Sequence, residues 1–248
     1  MIISHKYKYI FIKTQKVSGT SMEIALSHNL GKKDIFSPIN LEDEIIRYKM
    51  TKKIPSLYLN NKKKDLFYKN LIKKLSKKKF TKKELDTLER KLDNLKFSGN
   101  KFFNTMSAKS IKKAVKKDVW DNYFKFTIER NPYDKVISFM FFANRHKKIK
   151  SLKKEIDITI KKKKYLNFSQ YTAKKKIMVN FIINYQNLNK DIEFVEKKLN
   201  IPIRKYYIKT KNYTRIKNTH FNNLLTQSQK KKIYKDAKLE FDIMNYKN

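Results

Sequence analysis

The 248-residue chain contains no cysteine, which excludes disulfides and thiolate metal sites. Glycine is almost as rare. Gly19, Gly31 and Gly99 are the only three, too few and too scattered for a G-x-G-x-x-G dinucleotide turn. Arginine is scarce too. Of the 61 basic side chains six are arginine (Arg47, Arg90, Arg130, Arg145, Arg204 and Arg215), whereas arginine is the usual reader of phosphate and base edges. The four histidines, His5, His28, His146 and His220, form no ligand-spaced pair, so no metal is expected. No apolar run approaches the roughly 20 residues of a membrane span. Residues 1–12 offer no small-residue cleavage site and read as a first strand, not a signal peptide. Together these absences predict a soluble, cytoplasmic protein with no membrane span.

Lysine is what the chain has in excess, giving a net charge of +39. Such a charge attracts anionic partners, nucleic acid among them, although an AT-rich genome also writes lysine and asparagine through its codons. Hydrophobic residues at 40% and aromatics at 13% supply a core. The length suits one α/β domain over residues 1–248, with a lysine-rich helical elaboration at about residues 45–100. There Leu71, Leu75, Leu85, Leu88, Leu92 and Leu95 recur at helical spacing.

Strands are expected at 8–12, 123–128 and 177–183. Helices are expected at 20–29, 107–117, after Pro132, at 188–199 and at 226–241. Thr20 to Glu23 fits a capping box, and Gly31 suits the helix stop. Ser107 is a fitting N-cap, and Asn131-Pro132 reads as an Asx cap with proline in the first turn. Strands alternating with helices imply a central, mainly parallel sheet covered on both faces.

Two segments carry chemistry. The run from Lys13 to Ser21, K-T-Q-K-V-S-G-T-S, lies between a strand and a helix start. Backbone N–H groups of such a turn point at an anion and the helix dipole favours negative charge. It is not the nucleoside-triphosphate loop G-x-x-x-x-G-K-[ST]. The second segment, Arg130 to Ser138, reads R-N-P-Y-D-K-V-I-S. Arginine at a strand end offers a fork to phosphate, with Ser138 further along the helix. Two anion sites at two strand ends suit a ligand with two separated phosphates. The competing reading of Arg130 is an ion pair with Asp134. Trp120 reads as core.

In this order the two segments resemble the donor-binding signature of PAPS-dependent sulfotransferases, P-K-T-x-G-T-S followed by R-N-P-x-x-[RK]-x-x-S. The flanks are similar to the carbohydrate-type sulfotransferase-2 branch, especially compact bacterial members. The resemblance implies a P-loop-like three-layer fold with about five strands and transfer of a sulfuryl group from PAPS to an acceptor hydroxyl, with a carbohydrate as the acceptor class. Adenosine 3′,5′-bisphosphate would be the other product. Lys16 matches the loop lysine and would be catalytic. Lys16 and Val17 would also belong to the donor-binding loop, in which Ser18, Gly19, Thr20 and Ser21 would hold the 5′-phosphate. Arg130 and Ser138 would hold the 3′-phosphate.

The chain departs from the pattern in places. Gln15 and Val17 replace a frequent proline and threonine. Thr105 stands where related sequences often carry histidine, and residues 183–188 differ from a common G-R-Y-E-N-L. His28, His146, Glu23 and Asp118 are the formal candidates for a general base. An ATP-dependent phosphoryl transferase and a decayed sulfotransferase fold that binds nucleic acid or another polyanion are the alternatives.

Overall fold

A computed structural model of the chain describes residues 1–59, 61–97, 101–145, 147–208 and 221–247. Gly99, His146, Arg215 and His220 lie outside the described residues. The chain opens with β1 (Ile2–Ser4), β2 (Tyr9–Phe11), α1 (Gly19–Ser27) and β3 (Ile35–Phe36). Three helices follow, α2 (Leu41–Thr51), α3 (Lys62–Ser76) and α4 (Lys82–Phe97), then α5 (Ala108–Ala114) and α6 (Lys117–Asn122). The second half runs through β4 (Phe124–Glu129), α7 (Pro132–Ala143), α8 (Leu152–Lys162) and α9 (Phe168–Tyr171). It continues with a small hairpin of β5 (Thr172–Ala173) and β6 (Lys176–Ile177), then β7 (Phe181–Asn184), α10 (Leu188–Leu199) and α11 (Gln227–Met244).

Five strands form one sheet in the order β3-β1-β2-β4-β7. The expectation of a mainly parallel sheet is corrected to a mixed one. β2, β4 and β7 run parallel, but β1 pairs antiparallel with both β2 and β3. The single first strand expected at 1–12 is in fact a hairpin. Its turn has no glycine, and Lys8 takes the left-handed conformation instead, at φ 52°. The strand expected at 177–183 begins only at Phe181.

Side chains alternate across the sheet with the period of two that a strand imposes. Ile2, Tyr9, Phe11, Phe126 and Ile128 face α1 and α10, packing on Met22, Leu26, Ile192 and Val195. Ile3, Ile10 and Ile12 face the other way, onto Ile111, Val119 and Trp120 of α5 and α6. Helices therefore cover both faces. A further cluster joins α7, α8 and α11, and another joins α2, α3 and α4. Among the described residues no helix is long and apolar enough to cross a membrane.

The helix caps divide. Ser107 caps α5 by accepting from Ser110 N. Asn131 caps α7 by accepting from Tyr133 N, with Pro132 at the first position. Thr20 to Glu23 is no capping box. The N-cap of α1 is Ser18, without a side-chain cap bond, and Glu23 is drawn away by two cations described below. Gly31 is not the stop either, since α1 ends at Ser27. Gly31 N donates instead to Asp34 Oδ2 at 2.8 Å.

Candidate anion-binding site

The three parallel strands end side by side, and their following loops converge there, the usual ligand position of open α/β sheets. The β2 loop leaves the sheet gradually. Ile12 N still donates to Phe126 O at 2.9 Å. Where the two backbones then diverge, threonine hydroxyls replace the ladder. Thr127 Oγ1 donates to Ile12 O at 2.7 Å, and Thr14 Oγ1 donates to Ile128 O.

Beyond Thr14 the loop is tethered from far along the chain. Gln15 N donates to Asn167 Oδ1, and Asn167 Nδ2 donates back to Gln15 O, both at 3.0 Å. Lys16 O accepts from Arg130 Nη1 at 3.2 Å. Ser18 Oγ accepts from the Tyr207 hydroxyl at 2.6 Å. Burial pushes the Tyr207 phenol up to about 12, so it stays protonated and donating. These ties hold a backbone that a free peptide avoids. Lys16 and Ser18 are both left-handed, at φ 58° and 64°, a conformation costing roughly 1–2 kcal/mol for each non-glycine residue.

The result is a turn opening into α1. The first N–H groups of any helix lack intrahelical acceptors, and Ser18 does not cap them with its side chain. The first turn of α1 holds no acidic residue, so the positive end of the helix dipole is not cancelled there. Lys13 closes one side. Its Nζ donates to Thr20 Oγ1 at 3.1 Å and to Glu23 Oε2 at 2.5 Å. The lysine stem lies so close that a Cβ on Gly19 would stand 2.9 Å from Lys13 Cγ, which explains glycine at that position. The Lys16 ammonium lies over the Phe142 ring at 4.0 Å from its centroid. Val17 is buried in the core between α1 and the sheet, so its side chain anchors the loop. Ser21 is buried as well.

Arg130 stands at the end of β4, 8% exposed. Its Nε and Nη2 bind Asp134 Oδ2 at 2.7 and 2.6 Å, and its guanidinium covers the Tyr185 ring at 4.2 Å. The competing ion pair is thus present, and the same guanidinium touches the first loop. Ser138 is half-buried on α7, four residues after Asp134 and so on the same helix face.

Of the candidate bases, His146 lies outside the described residues and the other three stand apart from one another. Burial pushes the Glu23 carboxyl up, but Lys13, the Met1 ammonium and Arg47 outweigh it and hold it below the usual carboxylate value. Its two oxygens are engaged by Lys13 and by the Met1 ammonium. The Met1 ammonium also donates to Asn104 O at 3.0 Å, which puts the turn carrying Thr105 on the Glu23 side of α1. His28 caps the far end of α1 with its ring stacked on Tyr206 at 3.8 Å, and burial lowers its pKa. Asp118 is exposed in α6, before β4 begins and thus at the other end of that strand. Trp120 is core, at 6% exposure.

Sequence reasoning gave Lys13 no role and missed Asn167 and Tyr207. The last two act from 152 and 189 residues away, and no local pattern announces such a contact.

No protein-family profile matches the chain, and no solved structure matches it. A protein from Archaeoglobus fulgidus, described only as an uncharacterized protein, is 38% identical to it over 101 residues. That stretch covers 39% of this chain and 84% of the archaeal one. The chain belongs to the same family as that archaeal protein.

Proposed function

We propose that this site binds a nucleotide with two separated phosphates, and that the protein moves a sulfuryl group from PAPS to an acceptor hydroxyl on a carbohydrate. The β2 loop and α1 serve as a P-loop-like phosphate cradle in this reading. One observation carries it: the two motif segments, 114 residues apart, meet where Arg130 donates to the Lys16 carbonyl. The α1 N-terminus, with Ser18 to Ser21, takes the 5′ side of the donor. Arg130 and Ser138 take the 3′-phosphate.

In the reaction an acceptor oxygen forms a bond to sulfur as the sulfur–oxygen bond to the 5′-phosphate breaks. The acceptor proton leaves to a base. Like phosphoryl transfer, this needs in-line placement and neutralisation of charge more than covalent help. Lys16 supplies that neutralisation on the departing phosphate oxygen. Glu23, already engaged by two cations, is poorly placed to collect the proton.

Incubating the protein with PAPS carrying labelled sulfate and a panel of sugar acceptors tests the reading. The wild-type chain is expected to label an acceptor and release adenosine 3′,5′-bisphosphate. Lys16→Ala is expected to lower that rate at least ~100-fold, about 2.7 kcal/mol of transition-state stabilisation. Its melting temperature should fall by no more than several degrees, because the Phe142 contact of this half-buried side chain contributes about 0.5–2 kcal/mol. Equal rates in the two proteins would remove Lys16 from the chemistry.

A further inference from the structure

We infer that Asn167 is the positioning residue of the anion cradle: it sets the Gln15 backbone, and through it the left-handed turn at Lys16 and Ser18. The inference rests on the nucleotide site proposed above. Asn167 is fully buried and stands at the N-cap position of α9, yet its side chain makes no cap bond. Asparagine is among the preferred capping residues. Here the amide is turned away from its own helix and onto Gln15, accepting from N and donating to O at 3.0 Å each. A primary amide offers a donor and an acceptor side by side, so it pairs with a peptide as a neighbouring strand does. The ladder that held the loop to β4 has ended by this point, and Asn167 continues it.

Asn167 is itself fixed by charge. Its backbone N donates to Glu240 of α11, as does Phe168 N at 2.8 Å. Its Nδ2 also lies 3.4 Å from Glu129 Oε1 of β4. Lys135 of α7 bridges the two carboxylates at 2.7 and 2.5 Å, and Tyr171 of α9 donates to Glu129 at 3.1 Å. A second phenol, Tyr246, donates to Glu129 O at 3.3 Å, so among the described residues the titratable groups around Asn167 are Glu129, Glu240, Lys135, Tyr171 and Tyr246. These groups dictate that the amide nitrogen faces Glu129 and the Gln15 carbonyl, leaving the oxygen for Gln15 N–H.

The test uses the full chain with two readouts: hydrogen exchange of the peptide spanning residues 13–19, and calorimetric affinity for adenosine 3′,5′-bisphosphate. Asn167→Ala is expected to speed exchange in that peptide at least ~10-fold and to weaken binding at least ~10-fold. Asn167→Asp, equal in shape, should match alanine at pH 8, where the introduced carboxylate faces Glu129 and the Gln15 carbonyl. Near pH 5.5 the introduced carboxyl, once protonated, regains the donor, and exchange and affinity should return toward the wild-type values at that pH. A role confined to global stability would instead speed exchange in all protected peptides together, with no excess in residues 13–19 at either pH. If Asn167→Ala melts too low to assay, Asn167→Asp alone carries the comparison. Loop exchange within two-fold of wild type in Asn167→Ala, or no acid rescue in Asn167→Asp, overturns the inference. If the wild-type chain fails to bind the bisphosphate, the nucleotide reading falls, and loop exchange still decides the role of Asn167.

Discussion

Arg130→Ala is expected to weaken binding of adenosine 3′,5′-bisphosphate by at least ~100-fold, about 2.8 kcal/mol, measured by calorimetry. The size follows from what the guanidinium does at once. It is the arginine at the end of β4, 8% exposed, and its hydrogen bonds to a phosphate would be charge-assisted, each contributing about 1.5–3 kcal/mol. It also supports the Lys16 carbonyl at 3.2 Å and neutralises Asp134. Alanine therefore strips Asp134 of its arginine partner and leaves that carboxylate to repel the incoming anion. Arg130→Ala combined with Asp134→Asn should recover roughly ten-fold of the loss, because the repulsion goes while the missing fork does not return. Arg130→Lys should fall between, since an ammonium keeps the charge but not the planar fork. An affinity unchanged in Arg130→Ala would place the anion elsewhere.

Lys135→Met is expected to be strongly destabilising. Lys135 and Glu129 are fully buried and Glu240 is 1% exposed. Removing the ammonium leaves two carboxylates in the interior, and breaking a buried ion pair from one side costs about 3–5 kcal/mol. At this chain length each kcal/mol moves the melting temperature by roughly 2–4 °C, so a drop of roughly 6–20 °C is expected at neutral pH.

The deficit should depend on pH with a definite sign. Burial already pushes the Glu240 carboxyl above its ordinary value, despite the Lys135 charge beside it. Without Lys135 the rise is larger. A carboxyl raised in the folded state makes that state bind more protons than the unfolded chain, so stability falls as pH rises through the interval between the two pKa values. The variant should sit furthest below wild type near pH 8 and recover part of the gap as pH falls toward 5. Thermal melts at both pH values measure it. A gap that widens on acidification would contradict the charged network.

What the sequence made legible was local. The β4 strand and α7 are announced by an apolar run and by Asn131-Pro132, whose cap and fixed proline φ are properties of adjacent residues. The two motif segments were legible for the same reason, each lying within nine residues. The β1–β2 hairpin was not. Its turn is held by Asp34, which accepts from the Ser4 hydroxyl, His5 N and Lys6 N from about 30 residues away. The false capping box at Thr20 to Glu23 matched the spacing rule. The helix begins earlier, however, and Glu23 answers to Lys13 and Met1 instead of to a backbone N–H. The tethers at Asn167 and Tyr207 were out of reach because a tertiary hydrogen bond leaves no periodicity. The ion pair of Arg130 with Asp134 was visible as i, i+4 spacing, but its coexistence with the Lys16 contact needed the sheet.

The most direct measurement of the central claim is a calorimetric titration of the wild-type chain with adenosine 3′,5′-bisphosphate, set against ATP under the same buffer and salt. The proposed pair of phosphate sites predicts that the bisphosphate binds at least ~10-fold more tightly. ATP binding as tightly or more tightly, or no binding of the bisphosphate, would contradict the account.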